Sequence, residues 1–276
     1  MSLLLLDSGN SRLKWALSRE PYRRSQSFAA RGVMDLNELS GSRCALARIF
    51  RALAGSGLHP TLHACNVAGP AVERQLRAIA RRCGLGPIHF ARSAAAGGGV
   101  RNGYRESWRL GADRWVALIG AHHEHADMDL CVVGIGTAMT IDLLDASGRH
   151  VGGNIIPGPR LMIESLLMRT AGIQRRAGGR AAIRRADREP APPDSEPLLL
   201  FAHDTRAGLI AGARHACAAA IEHARREAGR QLGRRPRLIL AGGAMDVIAP
   251  LLESPYRRED DLVLRGLAAI ASATTA

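Results

Sequence analysis

The sequence predicts a mixed α/β protein made of two related halves, and three observations carry that reading. Residues Leu3 to Lys14 read Leu-Leu-Leu-Leu-Asp-Ser-Gly-Asn-Ser-Arg-Leu-Lys: a short apolar run, a cluster of turn formers, then Leu13, Trp15 and Leu17 in alternation, which is the pattern of a hairpin. Leu130 to Asp142 reads Leu-Cys-Val-Val-Gly-Ile-Gly-Thr-Ala-Met-Thr-Ile-Asp, a second apolar strand entering and leaving a bend of small residues. Laid over the first copy, Gly136 falls on Gly9, Thr137 on Asn10, Ala138 on Ser11 and Gly134 on Asp7. Around both hairpins, apolar runs of strand length alternate with stretches of helical spacing, as in layered α/β folds. Either hairpin alone is an ordinary polar turn; self-similarity within one chain asks for more.

The elements follow in order. Arg19 to Ala30 reads as a further strand after a turn at Pro21, and Leu46 to Leu53 has helical spacing. Thr61 to Val67 reads as a strand. Val72, Leu76, Ile79 and Ala80 share one helical face, opposite Glu73, Arg74, Arg77 and Arg81. Pro87 to Phe90 is a short strand, so the first half runs β-β-β-α-β-α-β. A loop over Ala94 to Gly99 leads to a helix spanning roughly Ala112 to His125, with Trp115, Leu118 and Ile119 on its apolar face. After the second hairpin come a glycine-bearing strand from His150 to Pro159 and a helix from Leu161 to Arg169. An Arg-, Gly- and Pro-rich segment over 172–197 reads as a mobile loop or lid. A long Ala-rich helix spans Asp204 to Glu227, a strand Arg237 to Ala241, a helix about Met245 to Leu251, and an apolar helix closes the chain at Leu262 to Ala273. The expected domains are 1–110 and 111–276, with the last helix, about 262–276, packing back on the N-terminal domain.

A chain of 276 residues can bury a large core, and 46% hydrophobic with 23% charged residues is ordinary for a soluble globular protein. No apolar run reaches the length of a membrane helix, and the N-terminal run stops at Asp7 without a basic leader, so the expected compartment is the cytoplasm. The five cysteines show no Cys-x-x-Cys spacing, which implies neither a disulfide framework nor a zinc knuckle. The net charge of +13 comes from arginine, because Lys14 is the one lysine. The arginines are spread along the chain and aromatics are only 4%, leaving little to stack on bases. An anionic small substrate is therefore favoured over nucleic acid.

The candidate chemistry sits in the bends. Free N–H groups at an acidic, glycine-containing bend form an anion pocket, and Asp7 at the strand end could hold a divalent cation that in turn holds phosphate. Arg101, Arg105, Arg109 and Arg114 surround Tyr104, Trp108 and Trp115. Within that stretch Asp113 would stand in the first turn of a helix, where the dipole favours a negative charge. It reads either as a helix-start acid paired with Arg109 or Arg114, or as an acceptor for a substrate hydroxyl proton. Gly242 and Gly243 after a strand are a usual seat for a nucleotide, since bare backbone admits close approach. A Walker sequence is excluded by the single lysine at 14, and Gly134-Ile-Gly136 lacks the third glycine of a dinucleotide fingerprint.

Two facing strand–bend–strand units resemble the actin, Hsp70 and sugar-kinase superfamily, which implies two RNase H-like domains with an interdomain nucleotide cleft. At finer grain the chain resembles type III pantothenate kinases through Asp7 to Lys14, Gly103-Tyr104, Leu110-Gly-Ala-Asp-Arg-Trp115, Gly136-Thr-Ala, Thr140-Ile-Asp142, Gly152-Gly-Asn-Ile-Ile-Pro-Gly158, Asp204-Thr205 and Ala241-Gly-Gly243. The resemblance implies ATP-dependent phosphorylation of the pantothenate hydroxyl, the first step toward coenzyme A. It implies that Asp7, Ser8, Gly9, Asn10, Ser11, Arg12, Leu13 and Lys14 bind ATP, with Asp7 serving magnesium, and that Gly136 and Thr137 join them, as would Gly242 and Gly243. Asp113 would be the proton acceptor. Tyr104, Gly111, Ala112, Asp113, Arg114 and Thr205 would contact pantothenate, and the family is homodimeric. Many members carry an aspartate where Gly134 stands, which helps hold a monovalent cation, so dependence on potassium or ammonium is left open. Two other readings remain: a non-enzymatic transcription accessory protein, suggested by the basic charge, and a kinase for another small hydroxylated substrate.

Overall fold

A computed structural model describes residues 2–19, 21–39, 44–178 and 199–274. The chain divides into two compact units, the first formed by Met1–Met128, Leu144–Gly152 and Asp261–Ala276, the second by Asp129–Leu143 and Gly153–Asp260. The division differs from a break near Leu110: the helix that carries Asp113 groups with the first unit.

The first unit is built on a five-stranded sheet of order β3-β2-β1-β4-β5. Its strands are β1 (Ser2–Ser8), β2 (Arg12–Arg19), β3 (Ala30–Asp35), β4 (Thr61–Asn66) and β5 (Ile88–Phe90). β1 runs antiparallel to β2 and parallel to β4. Helices α1 (Ala45–Gly55) and α2 (Pro70–Arg82) bury Leu46, Phe50, Leu76 and Ile79 against Leu4, Leu6, Leu62 and Ala64. Strand side chains alternate between faces, so Leu3 and Leu5 look the other way, toward α3 (Ala112–Glu124) and the C-terminal helix, Leu262–Thr274, which contact β1 and β4. Those two helices lie close: a Cβ on Gly120 would stand 2.4 Å from the carbonyl oxygen of Leu262.

The strand expected from Arg19 to Ala30 is instead β3, at Ala30–Asp35. Residues 21–29 fold back because Ser25 takes φ 59° and buried Glu124 accepts hydrogen bonds from the Tyr22 hydroxyl (2.9 Å) and the Ser25 N–H (2.8 Å). A two-residue pair, β6 (Ala96–Gly97) and β7 (Val100–Arg101), occupies the expected loop before α3.

The second unit repeats the sheet order as β10-β9-β8-β11-β12. Its strands are β8 (Leu130–Ile135), β9 (Ala138–Leu144), β10 (His150–Pro157), β11 (Arg237–Ala241) and β12 (Tyr256–Arg258). β11 lies parallel to β8 and to β12, as β4 lies parallel to β1 and β5. Helices α4 (Pro159–Arg169), α5 (Ala171–Arg176) and α6 (Thr205–Leu232) complete it, which makes the C-terminal helix α7. Cys131, Val133 and Ile135 bury with Leu238 and Leu240 against Cys217 and Ile221 of α6.

Two expectations need correction here. Residues 172–176, the start of the loop expected over 172–197, belong to the helix Ala171–Arg176, whose Ile173 packs against Ile163, Leu167 and Ile210; residues 179–197 of that segment lie outside the described residues. The helix expected over Met245 to Leu251 is two 3-10 turns, Met245–Val247 and Ala249–Leu251, parted at Ile248; Pro250, inside the second, has no N–H to carry an α-helical ladder through. The strand β12 carried no readable apolar pattern, since all three of its residues are exposed. No helix among the described residues is long and apolar enough to cross a membrane.

Candidate active site

In the first unit the alternation of β1 decides what meets what. Leu3, Leu5 and Asp7 share the face turned to α3 and α7, and Lys14 is the cross-strand partner of Asp7. Asp113 stands in the first turn of α3. Asp261 is the residue whose carbonyl accepts the first α7 hydrogen bond, from Arg265. Three carboxylates therefore gather at one end of one sheet face, two of them at helix N-termini, where the dipole favours negative charge. Lys14 Nζ lies 3.8 Å from Asp261 Oδ1, and Arg31 pairs with the other oxygen of Asp261.

Burial pushes the Asp7 carboxyl up to about 7; Lys14 opposes the rise, and the charges of Asp113 and Asp261 add to it. Cys65, the β4 partner of Asp7, is buried on the same face, and its thiol is pushed well up by burial and by the charges of Asp7 and Asp113. A half-buried carboxylate whose charge is opposed by desolvation and by neighbouring carboxylates is a fitting seat for a divalent cation, whose charge reverses both penalties. Asp7 is the residue here that would hold magnesium.

The Asp113 carboxylate accepts from the Arg114 backbone N–H at 2.8 Å. The two arginines considered as its ion partners go elsewhere: Arg109 pairs with Glu106, and Arg114, buried, donates to the Tyr104 hydroxyl at 2.8 Å. Gly111 precedes the helix because a Cβ there would stand 2.8 Å from Asp113 Oδ1. Ala112 follows as the first helical residue. Tyr104 stacks on buried His150, with ring centroids 5.8 Å apart and planes at 18°. Arg101, Arg105 and Arg109 are all exposed.

The bend itself is a tight turn, with the Gly9 N–H donating to the Arg12 carbonyl at 3.0 Å and Asn10, Ser11 and Arg12 exposed. Gly9 is not needed for the turn. Its φ is not positive, and an added Cβ would make only an ordinary contact, 3.6 Å from the Arg12 oxygen. Its absent side chain leaves the backbone open from outside. Ser8 shares the face of Leu4 and Leu6, fully buried, so its side chain points into the core and any phosphate contact falls to its backbone. Leu13 is buried likewise.

In the second unit, Gly136 donates to the Ala138 carbonyl at 3.0 Å across Thr137, a turn one residue shorter than its counterpart. Gly242 takes φ 101°, and a Cβ there would lie 2.3 Å from the Ile135 oxygen, so Gly242 and Gly243 lie against the end of β8. Gly134 offers no side-chain oxygen, and the place of its missing Cβ is 3.1 Å from Thr140 Oγ1. This bend presents hydroxyls but no carboxylate at that position, so it does not fit a carboxylate-held monovalent cation. Thr205 opens α6, capped by Asp204, whose Oδ1 accepts from the Ala207 N–H at 2.8 Å.

Sequence reasoning missed Asp261 and the closeness of Cys65. An acid directly before an apolar helix is a capping signal, which marks Asp261 as a helix start but not as a neighbour of Asp7.

The family model of type III pantothenate kinase matches residues 3–227. The chain is 40% identical over 269 residues to the type III pantothenate kinase of Burkholderia mallei strain SAVP1, covering 97% of this chain and 98% of that one. It is 36% identical over 286 residues to the same enzyme of Cupriavidus pinatubonensis, covering 98% of each. Among solved structures it is similar to component A of the (R)-2-hydroxyglutaryl-CoA dehydratase of Acidaminococcus fermentans, with a TM-score of 0.54 at 10% identity over 99% of this chain and 97% of that one. It is also similar to the activator of the 2-hydroxyisocaproyl-CoA dehydratase of Clostridium difficile, with a TM-score of 0.52 at 10% identity over 99% and 94%. Likenesses at such identities show the fold alone, which is that of actin, Hsp70 and the sugar kinases.

Proposed function

The chain belongs to the type III pantothenate kinase family, and we propose that it phosphorylates the pantothenate hydroxyl with Asp113 as general base. Membership makes it a phosphotransferase of coenzyme A synthesis that uses pantothenate and ATP. The observation that carries the finer reading is the gathering of Asp7, Asp113 and Lys14 on one face of the first sheet, where each carboxylate feels the other's charge.

The backbone of Asp7 to Lys14 receives the ATP phosphates, with Lys14 as a point charge beside them. In the second unit Gly136, Thr137, Gly242 and Gly243 offer ATP hydroxyl and bare backbone contacts. Magnesium, when bound at Asp7, neutralises phosphate charge. Tyr104, Gly111, Ala112, Arg114 and Thr205 orient pantothenate, and Asp113 takes the hydroxyl proton as the oxygen bonds to the γ-phosphorus and ADP leaves. Phosphoryl transfer asks mainly for positioning and charge neutralisation, which this set supplies. Nothing in the reaction is assigned to a monovalent cation, since Gly134 supplies no ligand. Membership also supports a cytoplasmic homodimer.

The test is mass spectrometry of the product formed from pantothenate, ATP and magnesium, with and without potassium. Phosphopantothenate in both supports the reading; its absence under every cation condition ends it.

A further inference from the structure

We propose that His150 is a positioning residue of the pantothenate site, acting through the ring of Tyr104. The inference rests on the reading that Tyr104 and Arg114 contact the substrate, and it goes beyond it by naming what sets their geometry. Tyr104 lies in the short loop between β7 and the 3-10 turn Ser107–Arg109 that precedes α3, where an aromatic ring has many orientations to choose from. Here it has one. Its phenol oxygen accepts from Arg114 Nη1 at 2.8 Å, and its ring lies nearly parallel to the His150 imidazole.

The imidazole is itself immobile: His150 is 1% exposed, at the first position of β10. The backbone forces the same register. A Cβ on Gly103 would stand 1.9 Å from the His150 carbonyl oxygen, so the loop presses on the strand where the two rings meet. The Arg101 N–H donates to the Gly148 carbonyl at 2.8 Å and Arg101 bridges to Arg149, which ties the residues just before Tyr104 to those just before His150. Asn102 closes the loop from within, accepting from the Tyr104 N–H at 3.0 Å and donating to the carbonyls of Ala94 and Ser107, each at 3.1 Å. Backbone contacts thus fix where the loop sits. What remains for the imidazole is the plane of the Tyr104 ring, and with it the direction of the phenol oxygen that Arg114 grips.

The experiment compares His150→Leu, which keeps volume without a π-face, with His150→Phe, which restores the ring. His150→Leu is expected to raise the pantothenate KM roughly 3- to 10-fold, the range for losing one aromatic pair. The ATP KM and the melting temperature should stay where they are, and His150→Phe should return the pantothenate KM to within about twofold of wild type. Added to Tyr104→Leu, His150→Leu should change the KM no further. An unmoved pantothenate KM in His150→Leu overturns the proposal, and so does a parallel rise in both KM values that Phe does not reverse. Should His150→Leu fail to fold, His150→Gln takes its place; a chain that tolerates neither depends on His150 for its structure, which also overturns the proposal. A wild-type protein that makes no phosphopantothenate would instead remove the reading on which this one rests.

Discussion

Replacing Asp7 by asparagine should stabilise the metal-free protein while abolishing its catalysis, and the gain should depend on pH. The folded carboxyl titrates at about 7 against 3.8 for an ordinary aspartate. Between those values the folded chain keeps a proton that the unfolded chain has lost. Stability contributed by this group therefore falls as pH rises, and the penalty is complete above about pH 7. At ~1.4 kcal/mol for each pH unit separating the two values, the penalty approaches about 4 kcal/mol at pH 8, less whatever solvent screens at a half-buried carboxylate. Asparagine keeps the shape and cannot ionise. In urea titrations with EDTA, Asp7→Asn and wild type should agree within about 1–2 kcal/mol at pH 4.5 and diverge in favour of the variant by up to about 4 kcal/mol at pH 8. Equal stabilities at pH 8, or a difference that does not grow with pH, would refute the argument. Because magnesium competes with the same proton, its affinity measured by calorimetry should rise roughly tenfold between pH 6 and 8 and level off above about pH 7.

Asp113→Asn should lower kcat by about 10²–10⁴, the usual worth of a general base, with ATP binding retained in a fluorescence titration. Gly111→Ala puts a methyl 2.8 Å from Asp113 Oδ1; the carboxylate swings aside, and kcat should fall about tenfold with the melting temperature nearly unchanged. Gly242→Ala meets both a φ of 101° and a backbone oxygen at 2.3 Å, so it should destabilise the second unit by about 1–3 kcal/mol in chemical unfolding. Wild-type activity should vary less than about twofold when potassium is exchanged for a large organic cation, since Gly134 holds nothing that would answer to the change; a stepwise loss of turnover would contradict this.

Most of the fold was legible because its signals are local. The four leucines before Asp7 and the Leu-Cys-Val-Val run before Gly134 could only be buried strands, and the faces of α2 and α3 repeat at helical spacing. What stayed hidden depends on distant partners. The strand expected through residues 21–29 does not form because Glu124, about a hundred positions along, draws Tyr22 and Ser25 into a turn. Asp113 was legible as a helix-start acid, while its proximity to Asp7 follows from which face of the first sheet meets α3. Asp261 stayed unplaced although the return of the last helix to the first unit was expected, because nothing local says which sheet face and which end that helix meets. Gly9 needs no positive φ for its turn; its value is the space it leaves.

The two units share one sheet order, so the differences between their bends measure what the chemistry demands of each. The first bend follows a strand that ends in Asp7 and pairs it with Lys14, and its face gathers charge from Asp113 and Asp261 at the expense of stability. The second has glycine in the equivalent place and makes its turn one residue tighter. Its neighbours approach as bare backbone: a Cβ on Gly158 would lie 2.1 Å from the Gly136 oxygen, and one on Gly242 2.3 Å from the Ile135 oxygen. Close backbone approach gives shape and N–H donors without a charge to desolvate, whereas a carboxylate can serve as a cation's ligand or as a base. A phosphoryl transfer needs the second kind of surface only where the hydroxyl and the metal meet, and needs the first kind wherever an anion must merely be held. On that reasoning the second bend of this chain holds an anion without an acid of its own, and Gly134→Asp should add charge without adding turnover. Its Cβ would crowd Thr140 Oγ1 at 3.1 Å, so the variant should also lose stability in urea titrations. A Gly134→Asp protein as stable as wild type, with faster turnover in potassium, would show instead that the second bend had kept a place for the missing group.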